Sequence, residues 1–228
     1  MKNKIKMAML FFFAGVFTAC NKEKGPEVNN TTVAGFGTGA GTAVIQTQIN
    51  NLPLEELSDA EKNWILHMRE EEKLARDVYR VLYEKWGAGI FTNISTGEQT
   101  HMDAVKMLIT KYGLTDPVVS DNTGEFTDPE LQQLFITLTQ QGDAGILAAY
   151  RVGATIEDLD LNDLGDAIAD VDNQDVILVF ENLAKGSRNH LRSFCKNIIK
   201  AGGTYIPQYI TLSEFEAIIS SPMEKGGW

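Results

Sequence analysis

Four apolar stripes that each turn polar at mid-length constrain this chain more than any other feature of its sequence. Their residues step by 4 and 3, the spacing of one helix face. The first stripe is Ile65, Met68, Glu72, Ala75, Tyr79, Leu82, Trp86, and the second is Ile94, Glu98, His101, Val105, Leu108, Tyr112. The third is Ile146, Tyr150, Gly153, Glu157, Asp160, Leu164, and the fourth is Val176, Phe180, Leu183, Ser187, His190, Phe194. A carboxylate or imidazole on a core-facing rung costs on the order of several kcal/mol unless something pairs with it. Four such rungs predict a helical bundle with one polar site buried at mid-height.

Start and stop signals place the helices. Ser58 followed by Glu61 is a capping box opening a helix that runs to Trp86 and stops at Gly87. A second helix is expected from Ser95 to Tyr112, ended by Gly113. Asp128-Pro129-Glu130 opens a short one through Gln140. A third is expected from Asp143 to Leu161, with the charge run Asp158 to Asp166 as a solvated turn. A fourth should span Asn173 to Lys200, and Thr211 or Ser213 should cap a short tail helix through Ile219. No alternating β-branched run is long enough for a sheet, so the fold class is all-α.

The chemistry lies in the polar rungs. Glu98-x-x-His101 puts a carboxylate and an imidazole on one face, where both can reach one ion. Carboxylate-bridged di-iron and di-manganese bundles draw one Glu from each of two helices and Glu-x-x-His from each of two others. Here the first helix supplies Glu72, the second Glu98 and His101, the third Glu157 and the fourth His190. Glu70 and Glu71, beside Glu72, read as a solvated charge run. His67 lies off the stripe and reads as a surface or loop contact. Tyr79 is a core aromatic by position, with a hydroxyl able to hold a ligating carboxylate.

On EEKLARDVY (Glu71 to Tyr79), GEQTHMDAV (Gly97 to Val105), VGATIEDLD (Val152 to Asp160) and GSRNHLRSF (Gly186 to Phe194), the chain resembles the ferritin-like superfamily. The likeness is to an uncharacterised bacterial and archaeal branch related to rubrerythrin, and it covers Leu52 to Ser220. Glu72 with Tyr79 is similar to the first-helix Glu and Tyr of rubrerythrin-like proteins. The resemblance implies a ferritin-like four-helix bundle with extra short helices over residues 53–222. It also implies a two-iron or manganese–iron cofactor, an oxidant or ferrous iron as the small partner, and ferroxidase or peroxide-reducing activity. A homodimer is expected by analogy with the superfamily. The fourth helix departs from the pattern, offering Ser187-x-x-His190 where Glu-x-x-His is expected. Three carboxylates then face two divalent ions unless Asp160, one turn beyond Glu157, supplies a fourth. Without it the site would hold its second ion weakly or hold only one. Two rival readings follow: a metal-binding protein without turnover, and a structural helical protein whose polar rungs pair among themselves.

The N-terminus sets the compartment. Lys2, Lys4 and Lys6 precede an apolar run from Met7 to Phe17 and then Thr18-Ala19-Cys20, the layout of a secretory signal. The run is shorter than the roughly 20 residues a membrane span needs. Ending on Cys20 resembles a lipoprotein signal, so residues 1–20 are expected to be removed and Cys20 lipidated. That puts the protein, anchored, on the periplasmic or extracytoplasmic face. Residues 21–52, rich in Gly, Thr and Asn, read as a flexible tether. Their GFGTGAG lacks the spacing and strand–helix setting of a dinucleotide-binding turn.

Without the signal, 17 basic residues stand against 31 acidic ones, a charge near −14. Such a surface repels nucleic acid and anionic headgroups, leaving the lipid anchor as the membrane contact. The two cysteines exclude a Cys-ligated zinc or iron–sulfur site, and Cys195 reads as a small buried apolar residue. No rubredoxin-type Cys-x-x-Cys pairs exist, so electrons must come from ferrous iron or an outside donor.

Overall fold

A computed structural model of the chain describes residues 40–225. Among them it shows seven helices and no strand: α1 (Ala40–Asn51), α2 (Asp59–Trp86), α3 (Gly89–Lys111), α4 (Pro129–Gly142), α5 (Ile146–Asp170), α6 (Gln174–Lys200) and α7 (Leu212–Ser220). None is long and apolar enough to cross a membrane. The signal segment, Cys20 and residues 21–39 of the expected tether lie outside the described residues.

Local chemistry sets the ends of α2. Ser58 accepts from the Glu61 backbone N–H while Glu61 reaches back to the Ser58 N–H, and Gly87 stops the helix with a left-handed φ of 64°. Glu61 also accepts the backbone N–H groups of Asp172 and Asn173, tying the start of α2 to the turn between α5 and α6. At the other end Tyr79 approaches the Gly153 carbonyl, so α2 and α5 run antiparallel. Lys111 pairs with Asp175 while Glu98 faces His190, so α3 and α6 are antiparallel too. The tight turns after α2 and α5 make hairpins α2–α3 and α5–α6. A long crossover carrying α4 joins them.

Two apolar clusters fill the ends of this packing. One gathers Leu74, Tyr79, Leu82, Phe91, Ile94, Val152, Ile156, Leu191 and Phe194. The other gathers Ile65, Met68, Val105, Leu108, Leu164, Val176, Phe180 and Leu183. On every long helix the stretch between the two clusters carries the polar rungs, which therefore form a layer across the middle.

Three boundaries differ from the sequence reading. Helix α1 occupies the second half of the expected tether and buries Ile45 and Ile49, an i,i+4 pair too short to register as a periodic stretch. Lys111 binds the carbonyls of Ile49, Leu52 and Pro53 just past its end. Helix α3 begins at Gly89 rather than Ser95. Its first turns are poor in helix formers, and the burial of Phe91 against Tyr79 and Phe194 overrides that propensity. Helix α5 continues to Asp170, so the run Asp158 to Asp166 is helix and not a solvated turn. Asp158 is buried because it accepts from the Tyr205 hydroxyl and the backbone N–H groups of Gln208, Tyr209 and Ile210.

Candidate metal centre

The polar layer brings Glu72 from α2, Glu98 and His101 from α3, Glu157 from α5 and His190 from α6 into two linked groups. His101 Nδ1 lies 3.0 Å from Glu72 Oε2 and 2.8 Å from Glu98 Oε2. His190 Nδ1 lies 2.9 Å from Glu98 Oε1 and 3.4 Å from Glu157 Oε2. Glu98 thus gives one oxygen to each half, with a terminal Glu and a His completing either side. The two imidazoles stack with centroids 5.7 Å apart.

Helix approach makes this possible. A Cβ at Gly186 would fall 2.4 Å from the His101 ring, and one at Gly97 would fall 3.2 Å from His190 Nε2. Each His therefore rests on a glycine of the opposite helix. The segments Gly97-Glu98-x-x-His101 and Gly186-Ser187-x-x-His190 are two copies of one device, differing where Ser187 replaces the carboxylate. The Ser187 hydroxyl is buried and donates to the Leu183 carbonyl, one turn back on its own helix.

Asp160 is also buried, and neither of its oxygens has a hydrogen-bond partner. The same holds for both oxygens of Glu98, for Glu157 Oε2 and for His190 Nδ1. His190 Nδ1 approaches Glu98 and Glu157 without meeting hydrogen-bond geometry. Unpaired buried charges are costly, and among the described residues no Lys or Arg pairs with Glu72, Glu98, Glu157 or Asp160. The Tyr79 hydroxyl donates to Glu157, fixing that carboxylate's orientation.

Proton affinities reflect the crowding. Burial pushes the Glu72 carboxyl up to about 7 despite His101, and burial together with Glu98 does the same for Glu157. Asp160 is raised well above the carboxylate range by burial and by the charges of Glu71, Glu72, Glu157 and Glu98. Against the same burial, His190 and His101 hold Glu98 below the usual range. Burial opposes a charge on His101, but Glu72 and Glu98 outweigh it and raise this imidazole to about 10. The layer gathers four carboxyl groups around two imidazoles, and among the described residues no Lys or Arg pairs with them. Such donors could hold cations: Glu72, Glu98 and His101 form one set, and Glu98, Glu157 and His190 the other, with ligand atoms in each within 4.8 Å of one another.

Two features escaped the sequence reading. All of Glu70, Glu71 and Glu72 are buried, not Glu72 alone. Glu70 accepts the Thr127 and Asp128 backbone N–H groups of the crossover. His67, expected at the surface, is 17% exposed at its side chain and faces Glu71 and Asp163. The His67-x-x-x-Glu71 spacing, one helical turn, was the available signal.

A chain with this architecture is known in an archaeon. The chain is 51% identical over 178 residues to "Uncharacterized protein MJ0754" of Methanocaldococcus jannaschii, covering 78% of this chain and 96% of that protein. The fold matches the "Crystal structure of hypothetical protein MJ0754 from Methanococcus jannaschii" with a TM-score of 0.75, over 76% of this chain and 99% of that one. The family described as "Uncharacterized protein domain (DUF2202)" matches residues 61–222, a span that contains every residue of the polar layer, and this chain belongs to that family.

Proposed function

We propose that the protein is a ferritin-like oxidoreductase whose polar layer holds two divalent ions, iron or a manganese–iron pair, and reacts with oxygen or peroxide. The observation that carries this is Glu98, whose two oxygens lie 2.8 Å from His101 and 2.9 Å from His190 without hydrogen-bond geometry. A carboxylate so placed is a bridge between two half-sites. The single long crossover between two helical hairpins also accords with ferritin-like folds.

The residues fit such a pair of ions. Imidazole and carboxylate donors suit iron and manganese. Glu72, Glu98 and Glu157 carry three of the four negative charges that two divalent ions need, and Asp160, buried and within electrostatic reach of all three, is the available source of the fourth. When bound, the ions supply one-electron chemistry toward an oxidant. Glu98 holds the two half-sites in fixed relation, and Tyr79 keeps Glu157 oriented. The apolar clusters on either side exclude bulk water from the layer. The reading extends to anchoring through Cys20 on the extracytoplasmic face, which the N-terminal sequence motivates, and to a homodimer, which rests on analogy with the superfamily.

The test is metal content and oxidant consumption on purified protein reconstituted with ferrous iron. Two ions per chain in the layer, lost in Glu98→Ala, with peroxide or oxygen consumed in step with iron oxidation, is the expected result. Ser187 favours a second reading, a cation-binding protein without turnover. Bound ions with no oxidant consumption would establish it, and a layer that binds no ion would refute both.

A further inference from the structure

All three histidines of the chain face two carboxylates each. Two of these sets make the polar layer, and the third stands apart. His67 Nε2 lies 3.4 Å from Glu71 Oε2 and 3.5 Å from Asp163 Oδ2, on the seam between α2 and α5.

A protonated histidine between two acids is the simpler account of such a triad, and against its burial Glu71 and Asp163 do raise the imidazole to about 9, but the separations are long for it. Charge-assisted N–H···O bonds run to about 2.7–2.9 Å, and these separations are longer. Among the described residues neither His67 Nε2 nor either oxygen of Glu71 has a well-formed hydrogen bond, although Glu71 is 1% exposed. A buried carboxylate aimed into the cluster with nothing to accept from is a ligand atom without its ligand. Donors about 2.1 Å from a common ion sit roughly 3.0–3.4 Å apart in octahedral or tetrahedral shells, and the observed 3.4 and 3.5 Å lie at and just beyond the upper end of that range. The donor chemistry, one imidazole and two carboxylates, repeats that of each half of the layer.

We propose that His67, Glu71 and Asp163 form a third divalent-cation site, distinct from the polar layer. It shares no residue with the other two sets. Its ligands come from the same two helices as Glu72 and Glu157, with Asp160 one turn before Asp163. At 17% and 14% side-chain exposure, His67 and Asp163 can be reached by a cation without opening the bundle. The site takes a borderline or hard ion such as Mn(II), Fe(II) or Zn(II).

Mn(II) is the probe, used on the full chain, with equilibrium stoichiometry and anomalous diffraction as readouts. Wild-type protein should bind one more ion than His67→Gln or Asp163→Asn, and the anomalous map should show a peak within ligand distance of His67 Nε2. Asp163→Asn preserves side-chain shape, so it reads out the same loss if His67→Gln fails to fold. Glu98→Ala separates this site from the layer, since it should keep the His67 ion whatever becomes of the others. Absence of an anomalous peak at His67 under saturating Mn(II) would overturn the site. So would equal stoichiometry in wild type and both His67-site variants. Neither result would bear on the layer.

Discussion

Helix α2 carries two buried polar patches that solve the same problem in opposite ways. On one side Arg69, Lys73, Arg76 and Asp77 face the crossover. Arg69 binds Asp116 and the Met102 carbonyl, and Lys73 binds Asp77 and the Asn122 carbonyl. Arg76 pairs with Asp77, Gln99 and Asp121, and Asp77 also accepts the Gly124 N–H. Positive and negative groups alternate there and satisfy one another. On the other side Glu71 and Glu72 join Glu98, Glu157 and Asp160, and among the described residues histidines are the basic groups paired with them. The first patch pairs its charges with protein groups, Arg76 Nη2 lying 2.9 Å from Asp77 and 2.8 Å from Asp121 although it lacks a well-formed hydrogen bond, and it holds the long crossover against the bundle. The second is incomplete, and incompleteness in a dry interior signals a ligand.

The contrast predicts opposite responses to mutation. Removing Asp77 as Asp77→Ala strands Lys73 and Arg76 in the core and should cost about 3–5 kcal/mol. Urea denaturation should show that loss equally in metal-loaded and chelated protein. A smaller, metal-dependent effect belongs to the other patch. Divalent metal at about 100 times its Kd should stabilise wild type by about 2.7 kcal/mol. Glu98→Ala should lose the share of this gain that comes from the polar layer and keep only what the His67 site contributes, whereas Asp116→Ala should retain the whole; a gain kept in full by Glu98→Ala would erase the distinction between the patches. Next in size, Tyr79→Phe leaves Glu157 unheld and should weaken metal affinity about 10–100-fold, read by competition with a chelating dye. Stability of the chelated protein should change little.

A further contrast is in pH. In chelated protein Glu72 and Glu157 keep their protons up to about 7, whereas unfolded carboxyls lose theirs near 4.5. The native state therefore binds more protons across that window, and its stability falls as pH rises from about 4.5 to 7. Burial opposes the charge on His101, yet Glu72 and Glu98 raise it to about 10, which continues the decline above 6.5. Glu98 is held low, so its contribution is constant over the same range. Metal binding must displace these protons, so affinity should rise where chelated stability falls. A flat chelated profile from pH 5 to 7 would show that the carboxyls are already paired.

Much of this was readable in the chain because helices report themselves locally. A 4,3 stripe needs only one segment to be seen, and Ser58, Gly87 and Pro129 mark ends by their own backbone chemistry. The polar rungs Glu72, Glu98, His101, Glu157 and His190 stand out against apolar neighbours for the same reason. Burial of a charge is another matter, since it depends on the facing helix. Nothing local distinguishes Glu70, satisfied by backbone N–H groups at residues 127 and 128, from Glu71, aimed at His67 and left without a hydrogen bond. Asp158 and Asp160 sit two apart in one acidic run, and one serves the tail while the other is unpartnered in the layer.

The sequence by itself determined the four long helices and their polar centres, and it carries Gly97 and Gly186 four residues ahead of His101 and His190. Only tertiary structure decided that each glycine would receive the opposite helix's histidine, and that α1 would lie on the bundle rather than trail from it. It also brought His67 to Asp163 across the antiparallel α2–α5 seam. Periodicity fixes which face a residue occupies along its own helix, but the partner across the interface is set by the register of two helices joined through a distant crossover.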